Sequence, residues 1–177
     1  FHIFLKFLEI ERYDVLMPIG AKSVLLVSKH RDLIEPFVHL AVAAAESISI
    51  CMDKFRTANF AKSIGISVPR TWEFRSLDEL KENISSLDYP LVLKNRSETH
   101  DGRPFYVNSE KELRNTLDSQ IFRDRHATQG VPVLQEYING VGVGFFASYK
   151  NGEQTHYFMH QRIREVPPTG GSSCCAI

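Results

Sequence analysis

Leu77, Leu80, Ile84 and Leu87 recur every three to four positions behind Ser76 and Glu79, and predict a helix opened by a capping box. Ser109 and Glu112 repeat the device before a second helix, with Leu113, Leu117 and Ile121 inward. A third helix is predicted over 54–64, with Asp53 as N-cap, Phe55, Ala58 and Ala61 inward and Gly65 as its stop. A fourth is predicted over 33–45, starting near residue 35 because of Pro36, with Leu33, Phe37, Leu40 and Ala44 in phase. Shorter apolar runs predict strands. Residues 13–20 read as a buried strand ending in a Pro/Gly loop, 23–28 as a second run around Val24 to Val27, and 66–72 as a short extended segment. Strands are also expected at 91–94, 105–107, 131–134, 144–150 and 153–163. Asp101 with Gly102, and Asn151 with Gly152, are hairpin turns. On 153–163 the alternation puts His156, Phe158, His160 and Arg162 on one face and Tyr157, Met159 and Ile163 on the other. Polar residues 123–130 predict a loop, as does 164–173. The whole reads as an α/β chain with mixed α+β lobes.

Formal net charge is zero, which gives no reason to expect a nucleic-acid surface. No apolar run is long enough to span a bilayer. The apolar start is interrupted by Lys6 and lacks a small-residue cleavage site, so it is not read as a signal peptide. Cys51, Cys174 and Cys175 offer neither a disulfide framework nor a CxxC metal spacing, and a reducing cytoplasm is expected. The chain opens within an apolar helical pattern and closes on the apolar 174–177, the pattern expected of a fragment.

Candidate chemistry concentrates late in the chain. The strand at 131–134 leaves apolar territory at Gln135 and Glu136, passes Tyr137 and Ile138, and meets Gly140, Gly142 and Gly144. That is a strand followed by a loose turn, or a hinge whose backbone serves a flat ligand. Lys54 lies in the first turn of its helix and Lys94 ends an apolar strand. Each alone reads as a snorkelling lysine; together they could meet an anion. Residues 97–102 make a good hairpin and a poor phosphate cradle, with one glycine and two carboxylates. Arg162 and Arg164, running into Gly170 and Gly171, are either a bidentate anion site or a solvated β-face, with nothing to separate the two. His156 and His160 have no acidic or thiol partner nearby, and no metal site is expected.

Five pieces in this order carry a resemblance: Asp53-Lys54-Phe55, the run from Gly65 to Thr71, the run from Tyr89 to Lys94, the run from Leu134 to Gly140, and the run from Arg162 to Gly171. From about Tyr13 onward the chain resembles the ATP-grasp superfamily, and within it the carboxylate–amine ligases related to carbamoyl-phosphate synthetase and biotin carboxylase. The resemblance implies an ATP-grasp fold with a partial Rossmann-like α/β domain before it over 1–52. It further implies an N-terminal lobe over 53–134, and a hinge and the start of the C-terminal lobe over 135–177. It implies that Lys54 and Lys94 hold ATP phosphates. Gln135, with the backbone of Glu136 and Ile138 and with Tyr137 beside them, would form the adenine edge. Arg162 and Arg164 would face the phosphates and the acyl substrate as catalytic groups. ATP and magnesium are the expected cofactors, with magnesium ligands beyond residue 177. Small-molecule carboxylate and amine substrates are the expected partners, without nucleic acid or membrane; a homodimer is allowed but not specified. In the family such a site activates a carboxylate as an acyl phosphate for attack by an amine or another nucleophile. The glycine-poor loop at 97–102 and the absence of a ribose glutamate around 141–144 leave an alternative, a catalytically inactive nucleotide-binding module.

Overall fold

The computed structural model describes residues 1–97, 103–166 and 172–177. Helix α1 (His2–Glu11) leads into a small layer of β1 (Val15–Leu16), α2 (Ala21–Lys29), α3 (Arg31–Ile34), β2 (His39–Leu40) and α4 (Ala45–Cys51). Strands β1 and β2 pair in parallel, Val15 with His39 and Leu16 with Leu40, so α2 and α3 form the crossover between them. Leu8, Val27, Ile34 and Val38 close the core of this layer.

Three expectations change here. Residues 23–28 are helical rather than a strand. A four-residue apolar run has no period of its own, and the helix buries Val27 and Ser28 while exposing Leu26. Residues 33–45 are not one helix. Helix α3 stops at Ile34, ahead of Pro36, which lacks the N–H another turn would need, and the chain returns as β2. Over 33–38 the inward residues are Ile34 and Val38; Leu33 and Phe37 are exposed. The strand expected over 13–20 contracts to Val15–Leu16, with Val15 exposed rather than buried.

Helix α5 (Lys54–Ser63) begins the second layer as expected. Asp53 caps it, accepting the Phe55 and Arg56 N–H groups at 3.0 Å each. Gly65 follows its end with φ 82°, a conformation that favours glycine. Strands β3 (Thr71–Trp72), β4 (Leu91–Lys94), β5 (Phe105–Val107) and β6 (Val133–Glu136) then form an antiparallel sheet in the order β3-β6-β4-β5. One face is covered by α6 (Leu77–Asn83) with its 3₁₀ turn Ile84–Ser86, by α7 (Glu110–Asp118) and by α8 (Gln120–Gln129). Leu80, Ile84, Leu113 and Phe122 from these helices meet Leu93 and Leu134 from the sheet. Both capping serines act as the sequence implies: Ser76 accepts the Glu79 N–H at 3.1 Å and Ser109 the Glu112 N–H at 3.3 Å.

Two corrections follow in α7 and α8. Helix α7 does not reach Ile121. Ser119 is extended and caps a new helix by accepting the Phe122 N–H at 3.2 Å. Phe122 takes the buried place expected of Ile121, which is exposed. Residues 123–130, expected as a loop, form most of α8 and its Gly130 cap. A helix whose buried contribution is a single phenylalanine offers little apolar period to read.

A third sheet, also antiparallel, contains β7 (Val143–Lys150), β8 (Glu153–Val166) and β9 (Ser172–Ala176) in that order. Asn151 and Gly152 turn between β7 and β8 at φ 53° and 84°, the left-handed pair that the dipeptide predicts. Strand β8 runs on to Val166 and β9 pairs with it, where a loop was expected over 164–173. The turn expected at Asp101 and Gly102, and the loop residues 167–171, lie outside the described residues.

Candidate functional site

The register of β4 and β6 decides which side chains meet. Leu91 lies opposite Glu136, Val92 opposite Gln135, Leu93 opposite Leu134 and Lys94 opposite Val133. Opposed residues share a face and alternate along each strand. Leu91, Leu93 and Leu134 therefore enter the core beneath the helices, and Lys94 and Gln135 stand on the other face. Tyr106 joins that face opposite Val92, and Thr71 opposite Gln135. Gln135 is buried. Its Oε1 accepts from Lys94 Nζ at 2.7 Å, and its Nε2 donates to Thr71 Oγ1 at 3.0 Å. Thr71 Oγ1 in turn donates to the Pro69 carbonyl at 2.9 Å. A neutral amide holds the ammonium without cancelling its charge.

A cleft of about 790 Å³ opens beside this row. Lys94 and Tyr106 line it from the sheet, Tyr137 and Ile138 from the connection to β7, and Arg162 and Glu165 from β8. The Tyr106 and Tyr137 rings meet edge to face, 5.8 Å between centroids. Burial, and then the nearby Glu165 carboxylate, push the Tyr106 phenol above its ordinary pKa. The Tyr137 N–H donates to the Pro90 carbonyl at 3.1 Å, fixing the connection to the start of β4. No acceptor among the described residues engages the Ile138 N–H, and Ile138 is one of the residues lining the cleft. Arg162 is set by its N–H to the Gly142 carbonyl at 2.8 Å and by its Nη1 to Glu165 Oε1 at 3.1 Å. Glycines 142 and 144 make room for β8 side chains. A Cβ on Gly142 would lie 2.9 Å from Arg162 Cδ, and one on Gly144 would lie 2.4 Å from His160 Cε1.

The structure thus brings Lys94, Gln135, Tyr137, Ile138 and Arg162 together. Three sequence candidates sit elsewhere. The Glu136 side chain is on the opposite face, where its Oε2 accepts from the Arg70 N–H at 3.2 Å and pairs with Arg70 Nε at 3.4 Å. Its N–H is committed to the Arg70 carbonyl at 2.8 Å. Arg164 is exposed on β8 opposite Cys175 and does not line the cleft. Lys54 does not line it either; its N–H donates to the Arg96 carbonyl at 3.0 Å. That bond belongs to a node joining the start of α5 to the chain just past Lys94. Asp53 Oδ2 accepts from Arg96 Nε at 2.7 Å, and Arg96 also pairs with Glu73. Partial burial raises the Asp53 pKa, but the Arg56 N–H, the Arg96 guanidinium and the Phe55 N–H outweigh it and hold the carboxyl below its ordinary value.

Sequence reasoning missed Thr71, Tyr106 and Glu165. Tyr106 was recoverable from alternation, since its neighbours Phe105 and Val107 face the core. Thr71 emerges only from the register of β3 against β6. Among the described residues no group of three or more His, Cys, Asp or Glu side chains could hold a metal, and no helix is long and apolar enough to cross a membrane. Glu165 is the one carboxylate among the described residues lining the cleft, and Arg162 already engages it. A magnesium site is therefore not formed by the described residues. Lys94 and Arg162 put two cationic side chains on this one cleft, the sign of charge that suits an anion.

No family model matches the chain, and no curated protein matches it significantly. Solved structures do. One is an N5-carboxyaminoimidazole ribonucleotide synthetase in complex with ADP, with a TM-score of 0.69 and 19% identity over 90% of this chain and 41% of that one. A second is the VanG D-Ala:D-Ser ligase from Enterococcus faecalis, with a TM-score of 0.67 and 22% identity over 84% of this chain and 43% of that one. A third is the biotin carboxylase domain of Hydrogenobacter thermophilus 2-oxoglutarate carboxylase, crystallised with MgADP, ADP and bicarbonate. It has a TM-score of 0.71 and 17% identity, over 93% of this chain and 37% of that one. This chain thus spans about two fifths of the length of the structures it matches. At these identities the likeness is one of fold.

Proposed function

We propose that this chain, whose fold is that of the ATP-grasp ligases, binds ATP in the cleft between β4, β5 and β8 and belongs to an ATP-dependent ligase acting on a small carboxylate. The observation that carries the reading is Lys94, held by Gln135 on the strand face and lining one cleft with Arg162 and Ile138. Lys94 and Arg162 would stabilise negative charge on the phosphates, as fixed cations do in phosphoryl transfer. The Ile138 N–H would donate to the base, and Tyr106 and Tyr137 would wall the site. Within the whole enzyme, a carboxylate oxygen attacks the terminal phosphorus and ADP leaves. An amine or another nucleophile then attacks the acyl carbon, and inorganic phosphate leaves. On this reading residues 1–52 precede the ATP-grasp unit, 53–134 form its first lobe and 135–177 begin its second. Lys54 and Arg164 would join the site only if the lobes closed. Magnesium would accompany the nucleotide. Small-molecule carboxylate and amine partners in a cytoplasmic setting complete the reading.

Glu165, the one carboxylate among the described residues lining the cleft and already paired with Arg162, favours a second reading, a nucleotide-binding module without turnover. The test is a titration with Mg·ATP followed by backbone amide resonances. Shifts at Lys94, Tyr106, Ile138 and Arg162 are expected, and shifts confined to α2 and α4 would reject the site. ADP release with any member of a panel of small carboxylates separates the ligase from the silent module.

A further inference from the structure

We infer that Thr71 is a positioning residue for the nucleotide site, acting through the Gln135 amide to aim Lys94 into the cleft. This rests on the nucleotide-binding reading of that cleft. An amide has two ends of similar shape and opposite hydrogen-bond character, so a neighbour must choose between them. Thr71 makes the choice. Its one hydroxyl proton goes to the Pro69 carbonyl at 2.9 Å. The Thr71 oxygen can then only accept from Gln135, and it does so from Nε2 at 3.0 Å. Gln135 is thereby obliged to turn Oε1 toward Lys94, which donates to it at 2.7 Å. With the amide reversed, two N–H groups would face an ammonium, and the lysine would be driven from its place. Burial of Gln135 removes the water that could otherwise satisfy either orientation. The direction of the chain is thus set from the Pro69 carbonyl, through Thr71 and Gln135, to Lys94. Thr71 lies outside the cleft lining and acts without touching the ligand.

The experiment uses Thr71→Val, which keeps the shape and removes the hydroxyl, and Thr71→Ser, which keeps the hydroxyl. Both are made in the full chain and again with Lys94→Ala, and Mg·ADP affinity is measured by calorimetry. Thr71→Val is expected to weaken binding about tenfold, the scale of one lost hydrogen bond to a charged group. Thr71→Ser is expected to stay within about twofold, since the amide remains oriented. In the Lys94→Ala chain Thr71→Val should change nothing further, because its route runs through the lysine. An equal loss in both backgrounds, or no loss in the parent, overturns the inference. A second readout needs no nucleotide: the Gln135 side-chain amide protons should exchange slowly in the parent and Thr71→Ser and quickly in Thr71→Val. Slow exchange that Thr71→Val leaves unchanged overturns the relay. A parent that fails to bind Mg·ADP while keeping this exchange pattern overturns the nucleotide reading and supports the relay.

Discussion

Replacing Asp53 tests the joint between α5 and the end of β4. In Asp53→Ala the helix loses a cap that accepts two N–H groups at 3.0 Å, and Arg96 loses a partner at 2.7 Å. An N-cap contributes about 1 kcal/mol. The ion pair deserves a smaller figure, about 0.5 kcal/mol, because the Arg96 side chain is 39% exposed and water screens it. The sum, about 1.5 kcal/mol, corresponds to a fall in melting temperature of roughly 3–6 °C for a chain of this size. Asp53→Asn keeps the cap and loses only the charge, so its melting temperature should fall by about 1–2 °C. The assay is thermal unfolding by circular dichroism across pH. The folded-state pKa of Asp53 is depressed, so its charge stabilises the fold above the unfolded-state value, and that stability is lost as pH falls through the folded-state value. The deficit of Asp53→Asn should therefore be full at neutral pH, begin to shrink near the unfolded carboxylate value of about 3.9, and vanish in stronger acid. Equal damage from Ala and Asn, or a deficit that grows in acid, would refute the assignment.

Leu134 is fully buried at the centre of the sheet, and Leu134→Ala should cost about 2–5 kcal/mol, read as a lowered urea midpoint. A loss below about 1 kcal/mol would mean that the core beneath β6 is not packed as described. In Gly144→Ala the new methyl would stand 2.4 Å from His160 Cε1, so the imidazole must swing off β7. The variant should move the His160 ring resonances at a cost of about 1 kcal/mol or less, whereas unmoved resonances would contradict the packing.

The parts of the fold that read clearly were those whose local signals agreed. Helices with a serine cap and leucines in phase behind it, such as α6 and α7, announced themselves at both end and face. So did the hairpin at Asn151 and Gly152, where the left-handed pair is required. The first 45 residues misled because their elements are short: a four-residue apolar run became a helix, and a four-residue helix with a two-residue strand resembled one longer helix. Helix α8 was hidden by its polarity. At the site, alternation along β4 and β6 already implied that Lys94 and Gln135 point one way and Glu136 the other. The bond between Lys94 and Gln135 required the register, because the two residues sit diagonally rather than opposite. Thr71 and Glu165 come to the site through strand pairing across distant sequence, and no local pattern carries that information.

The most direct measurement is a calorimetric titration of the chain with Mg·ATP beside the Lys94→Ala variant, with melting temperatures of both recorded. A nucleotide site predicts binding by the parent and a loss of about tenfold or more in the variant, the worth of one charge-assisted contact to phosphate. The variant's melting temperature should fall by a few degrees, roughly 2–4 °C per kcal/mol, because the buried Gln135 Oε1 loses its donor. Equal affinity in the two chains, with only stability changed, would make Lys94 a structural lysine and contradict the account.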